Sequence, residues 1–236
     1  MKRSILGIAI TAALSGTAMA ADIPVKAPCC ATPVLYDWTG FYVGADAGYA
    51  WGTAAGVGTN AALVPGTGPT YSYSVNGGFG GGFIGAQKQW QNLVFGIEGD
   101  YQGASIKGTS PSMLAAGTLY TFSTTATWED SIRGRLGFAA DRWLVYGTAG
   151  WAEAHWKNSY GFTGAAAPFS TYSPTASGWT GGAGVDYAVT NQVFLMLEYR
   201  YSSFKAANFV DTVNNAADTG PTLKLNDIRG GVGFKF

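Results

Sequence analysis

The chain has 236 residues, of which 12% are charged, with 35 Gly, 13 Phe, 13 Tyr and 8 Trp. That composition fits one medium-sized all-β domain and excludes a disordered chain. Lys+Arg and Asp+Glu are both 14, so there is no basic field and nucleic acid is excluded as a partner.

In chain order, Lys2 and Arg3 precede an apolar run from Ile5 to Leu14 and the small triplet Ala18, Met19, Ala20. This pattern predicts a signal peptide over residues 1–20, cleaved after Ala20. Cleavage removes two positive charges and leaves a net of about −2. Residues 21–37, "ADIPVKAPCCATPVLYD", are Pro-rich and aperiodic and read as a periplasmic linker. Cys29 and Cys30 lie in it. Adjacent cysteines bridge each other only with strain, so intermolecular pairing or free thiols are the readings open to them. Beyond the signal, no segment approaches the roughly 18 uninterrupted apolar residues of a membrane-spanning helix.

The remainder alternates with period two, which is the signature of strands with two unlike faces. Eight strands are predicted over 41–51, 77–90, 93–105, 128–140, 143–157, 177–189, 192–204 and 228–236. In the third, Leu93, Phe95, Ile97 and Tyr101 alternate with Glu98, Asp100 and Gln102. The fourth sets Trp128, Ile132, Leu136 and Phe138 against Glu129, Arg133 and Arg135. In the seventh, Val193, Leu195, Leu197, Tyr199 and Tyr201 oppose Glu198, Arg200 and Ser202. The eighth sets Ile228, Val232, Phe234 and Phe236 against Asp227, Arg229 and Lys235. Each strand has at least the ~9–11 residues that a tilted strand needs to cross a bilayer.

The connections alternate as well. Gln91-Asn92, Asp141-Arg142 and Thr190-Asn191 are hairpin-sized, whereas 52–76, 108–125, 158–176 and 205–221 are long. Tight turns at one end, long loops at the other and an even strand count predict an eight-stranded antiparallel up-and-down transmembrane β-barrel over residues 38–236. It would sit in the outer membrane with both termini periplasmic. A secreted ligand-binding barrel would instead turn its apolar face inward. Aromatic residues near strand ends favour the membrane reading: Trp51, Trp90, Trp128, Trp143, Trp156, Trp179, Tyr36, Tyr42, Tyr49, Tyr199 and Tyr201 are the girdle candidates. Inward Gly44, Gly48, Gly85, Gly137, Gly182, Gly184, Gly231 and Gly233 would make room for large partners.

The inward charges are the candidate functional constellation: Asp46, Glu98, Asp100, Glu129, Glu153, Asp186, Glu198 and Asp227 against Arg133, Arg135, Arg200 and Arg229. An ion-pair network filling the lumen is the favoured reading, and a narrow conduction path is the competing one. The acid excess implies that some carboxylates face water, bind cations or hold a proton. His155, the single histidine, is assigned to the same inward face as Glu153, as a cap on that network. No serine stands out as a nucleophile beside it, so an enzyme is not expected. The glycine runs 77–82 and 178–186 continue into strand patterns and lack the helix N-terminus of a phosphate loop. Two Cys and one His fall short of a zinc site, and no cofactor is implied.

The stretches "WTGFYVGADAGYAWG", "GWTGGAGVDYAVT", "LEYRYSSF" and "GGVGFKF", in that order over residues 38–236, resemble the small alphaproteobacterial surface-antigen barrels, the RopB-like group. The resemblance implies an eight-stranded barrel related in architecture to the OmpA transmembrane domain, with Phe236 read by the barrel-assembly machinery. Some members of that group are associated with haem, which makes His155 a minor ligand candidate. The expected function is a structural outer-membrane barrel that contributes to envelope integrity and presents surface loops. The alternative is a narrow porin-like channel or a surface ligand receptor. Expected partners are outer-membrane lipids and lipopolysaccharide, with peptidoglycan or a host surface as further candidates.

Overall fold

A computed structural model describes residues 36–57, 70–111, 113–115, 118–164, 170–206, 209–211, 216–218 and 222–236. The predicted signal peptide, the predicted linker up to residue 35 with Cys29 and Cys30, and the central parts of several loops lie outside the described residues. Eight long strands are present: β1 (Gly40–Val57), β2 (Thr70–Trp90), β3 (Leu93–Thr109), β4 (Thr118–Ala140), β5 (Trp143–Phe162), β6 (Thr175–Ala188), β7 (Val193–Lys205) and β8 (Thr222–Lys235). Each pairs antiparallel with its sequence neighbours, and β8 pairs with β1 from Tyr42↔Lys235 to Ala55↔Thr222. The sheet therefore closes as an up-and-down barrel with no free edge, as the alternation predicted. The Phe236 amide extends the seam by donating to the Phe41 carbonyl at 2.9 Å.

The strands outrun their predicted limits mostly on the loop side. β2 begins at Thr70 and β5 continues to Phe162, and short strands extend the ladder there, including Met113–Ala115 on β4 and Ser170–Tyr172 on β5. At the opposite end, Gln91 and Asp141 open two-residue turns at φ +57° and +52°. The Asn92 side chain stitches one of them by donating to the Ala139 carbonyl at 2.9 Å. The third turn is longer than the predicted Thr190-Asn191 pair, because residues 189–192 all leave the strands. Thr190 Oγ1 there accepts from the Val193 amide at 2.9 Å.

The side-chain faces settle the question that alternation left open. Ile84, Phe95, Ile97, Ile132, Leu136, Val145, Leu195, Leu197, Ile228 and Val232 point outward, while the arginines and their acids are buried. An apolar exterior around a charged interior is the pattern of a lipid-spanning barrel. Leu197, opposite Gly230 in mid-strand, samples that exterior. Its replacement by arginine is expected to cost about 2–4 kcal/mol in a lipid-refolded barrel. Urea titration in vesicles would measure this, and an unchanged midpoint would contradict an outward, lipid-facing Leu197.

One irregularity resets a strand. Thr127 is skipped in the β4–β5 ladder, because Ala126 pairs with Trp156 and Trp128 with His155, and its hydroxyl donates to the His155 carbonyl at 3.2 Å. The bulge flips the parity of β4, so Phe122, Thr124 and Ala126 point inward above it and Glu129, Ser131, Arg133 and Arg135 below it. Without the extra residue, one half of β4 would present its polar residues to the wrong side.

Candidate functional site

The lumen is filled in three layers. At the turn end, Tyr36, Trp38, Tyr42, Phe83, Val94, Leu144, Tyr146, Phe194 and Met196 form an apolar plug. At the loop end, Tyr73, Val75, Ile106, Phe122, Trp156, Phe204, Leu223 and Leu225 form another, with alanines between them. The charged network lies between the two.

Glycines make the turn-end plug possible. Tyr42 pairs across strands with Gly85, Phe83 with Gly44, Tyr146 with Gly184 and Phe194 with Gly233. Each ring lies flat over its glycine: a Cβ at Gly44 would stand 2.2 Å from Phe83 Cζ, and one at Gly233 would stand 2.1 Å from Phe194 Cζ. Aromatic cover of a bare backbone is a recognised device for turning curved sheets. In this barrel it also fixes where the rings of Tyr42, Phe83 and Phe194 meet. Tyr42 and Phe194 pack edge-on at 5.7 Å.

The plug is completed by the segment before β1. Trp38 is fully buried and packs on Phe194 at 6.0 Å and on Tyr36 at 4.8 Å. Its indole Nε1 donates to the Asp141 carbonyl at 3.2 Å and its amide to Gln89 Oε1 at 2.8 Å. The Tyr36 amide donates to Asp141 Oδ1 at 3.2 Å. The last residues of the predicted linker are thus tied to the barrel floor. Burial pushes the Asp37 carboxyl up, but hydrogen bonds from Thr39 and the ammonium groups of Lys235 and Lys88 outweigh it and hold the carboxyl below its ordinary value.

In the middle layer, Arg133 Nη2 lies 2.5 Å from Glu98 Oε1 and 3.0 Å from Asp100 Oδ2, while its Nη1 is bound to Glu198. Arg135 pairs with Asp186, reaches Glu98 Oε2 at 3.4 Å, and lies over the Tyr146 ring at 3.6 Å. Arg200 spans Asp100 at 3.1 Å, Asp227 at 3.1 Å and Glu129 at 3.4 Å. Arg229 holds Asp46 and Asp227, both at 3.1 Å. Asp100 is the hub, since it meets Arg133, Arg200 and, at 3.8 Å, Arg229. Neutral groups take further lone pairs: Ser131 Oγ donates to Asp100 at 2.6 Å, Gln102 Nε2 to Asp46 at 2.8 Å, and the Tyr42 hydroxyl to Glu98 at 2.9 Å. Satisfied lone pairs of this kind are what make buried ion pairs tolerable.

Eleven of the twelve charged residues expected in the lumen are brought together in this layer. Glu153 is not. On β5 the odd positions Trp143, Val145 and Trp151 face outward, and Glu153 and His155 share their parity. The inward positions Gly150, Ala152 and Ala154 are small and apolar, so polarity alone points Glu153 and His155 to the wrong face. Glu153 instead stands opposite Asp130 on the exterior. His155 stacks on Trp128 with centroids 5.6 Å apart and planes 7° apart, and its Nδ1 lies 3.1 Å from Thr175 Oγ1. It caps no lumen network.

Two further expectations are corrected by the same geometry. Trp156, Tyr36 and Tyr42 are buried inside and do not join the outer girdle. No network carboxylate faces water, because the most accessible, Glu129, exposes 8% of its side chain. Sequence reasoning missed Tyr146 and Thr148 as network partners, although their even numbering on β5 carried the signal.

Comparison with known proteins places this architecture. Residues 8–236 match the outer membrane protein beta-barrel domain family. The chain is 35% identical to the 31 kDa outer-membrane immunogenic protein of Brucella melitensis, over 99% of this chain and 100% of the relative. It is 30% identical to the 25 kDa outer-membrane immunogenic protein of Brucella canis, over 97% of each. Among solved structures it is similar to the outer membrane protein OprG from Pseudomonas aeruginosa, at TM-score 0.45 and 12% identity, over 85% of this chain and 97% of the other.

Proposed function

The chain belongs to the outer membrane protein beta-barrel family, and on that premise we propose that it is a structural barrel, plugged by its own side chains, that supports the envelope and presents its loops at the cell surface. The observation that carries this reading is the layering of the lumen, in which a charge network lies between two apolar plugs. An eight-stranded interior is just wide enough for side chains to fill it in this way. Both termini are assigned to the periplasm, because they share the end with the tight turns, and the loop end is assigned to the exterior. The immunogenic relatives support the surface-antigen part of the reading.

Phe236 is assigned as the assembly signal read by the barrel-assembly machinery. It is exposed at the turn end, with its ring 5.1 Å from that of Phe234. The reading is tested in planar bilayers: the refolded mature chain is expected to give no stable unitary conductance. Stable channels abolished by Glu98→Gln or Arg133→Gln would replace the plugged barrel with a narrow pore.

A further inference from the structure

The four cations of the lumen network are all arginines. Arg133, Arg135, Arg200 and Arg229 are inside, whereas the loop-end halves of the strands carry Lys107, Lys157, Lys205 and Lys224, all exposed and all on the outer face. None of these lysines forms an ion pair among the described residues. They fall into two pairs. Lys107 and Lys157 flank Thr125 in one cross-strand row, about 10 Å apart at two strand spacings. Lys205 lies opposite Thr222 and Lys224 opposite Ser203, a diagonal pair about 7–8 Å apart.

Their height on the barrel selects the partner. The upper aromatic girdle consists of Tyr49, Trp51, Tyr101, Trp151, Trp179, Tyr199 and Tyr201, with Trp179 and Tyr201 packed at 5.3 Å. Lys157 lies six residues beyond Trp151 on β5 and Lys205 four beyond Tyr201 on β7. At ~3.3 Å per residue and ~40° tilt, that is roughly 10–15 Å above the girdle. A phospholipid headgroup layer is only about 5–7 Å thick. A lipid whose phosphates are carried on an extended sugar head reaches this level, and flexible lysine stems can bend toward it. Lysine suits the role as a mobile point charge, whereas the lumen uses the planar fork of arginine.

We propose that Lys107/Lys157 and Lys205/Lys224 form two docking sites on the barrel exterior for the sugar-borne phosphates of lipopolysaccharide. This deepens the surface-barrel reading and rests on its assignment of the loop end to the exterior. Asp130 and Glu153, outward and directly opposite each other, lie closer to the apolar belt than the Lys107/Lys157 pair. They keep the phosphates at the lysine level by repulsion.

The test uses detergent-extracted full-length mature protein titrated with lipopolysaccharide in mixed micelles. Each lysine-to-glutamine change is expected to weaken binding about fivefold, so Lys107→Gln/Lys157→Gln and Lys205→Gln/Lys224→Gln each lose about 25-fold. Enzymatically dephosphorylated lipopolysaccharide should bind the wild type as weakly as intact lipid binds the quadruple variant. Equal binding by the quadruple variant, or by the dephosphorylated lipid, would overturn the proposal. Displacement by equimolar inorganic phosphate would overturn the lipid as occupant. A retained heat-modifiable gel shift shows that the variants are folded. Failure of the wild type to fractionate with outer membranes would separately defeat the surface-barrel reading.

Discussion

Replacing Arg133 by alanine is expected to destabilise the barrel by about 3–5 kcal/mol, the cost of removing one partner from a buried ion pair. Arg133 neutralises Glu98, Asp100 and Glu198, and all three carboxylates stay buried when it is lost. Among the described residues, apolar plugs lie on both sides of the network. Urea titration of the refolded protein, followed by the gel shift between folded and boiled forms, would measure the loss. Glu129→Gln is the matched control. Glu129 contributes a single 3.4 Å contact to Arg200, and its Oε1 has no partner among the described residues, so its neutralisation should cost far less. Equal midpoints for Arg133→Ala and wild type would mean that the network does not hold the barrel together.

Trp38→Ala should cost a similar amount, about 3–5 kcal/mol, for a different reason. The indole fills the turn end of the lumen, and its removal leaves a cavity beneath Phe194 and strips a hydrogen bond from the Asp141 carbonyl. The same substitution unpacks Tyr36 and so releases the segment before β1. Limited proteolysis at the turn end would detect that release as faster cleavage before Gly40. A variant that unfolds at the wild-type midpoint and resists protease equally would show that the plug is dispensable. Comparing the two variants separates the contributions of charge pairing and apolar filling to the same lumen.

Most of the fold was legible because period-two alternation is a local property. Ile97, Glu98, Gly99 and Asp100 declare opposite faces without reference to any other strand, and short turns against long loops declare the topology. The same logic failed on β5, where the inward positions Gly150, Ala152 and Ala154 are small and apolar and the polar Glu153 and His155 lie outside, the reverse of the charge pattern on the other strands. It also failed for Trp156, Tyr36 and Tyr42. An aromatic ring suits a lipid girdle or a lumen plug equally well, and only strand parity and the docking of residues 36–38 separate the two.

The strand count, the closure of the last strand on the first, and the sorting of charge away from an apolar face are all legible along the chain. Each depends on neighbouring residues or on chain order. The tertiary structure alone decided which carboxylate meets which arginine. That depends on the stagger of eight strands around a closed ring: Arg229 meets Asp46 from the first strand, and Arg200 meets Asp100 and Glu129 from across the lumen. The exact partner of Phe236 on the closing seam, the Phe41 carbonyl, follows from the same register.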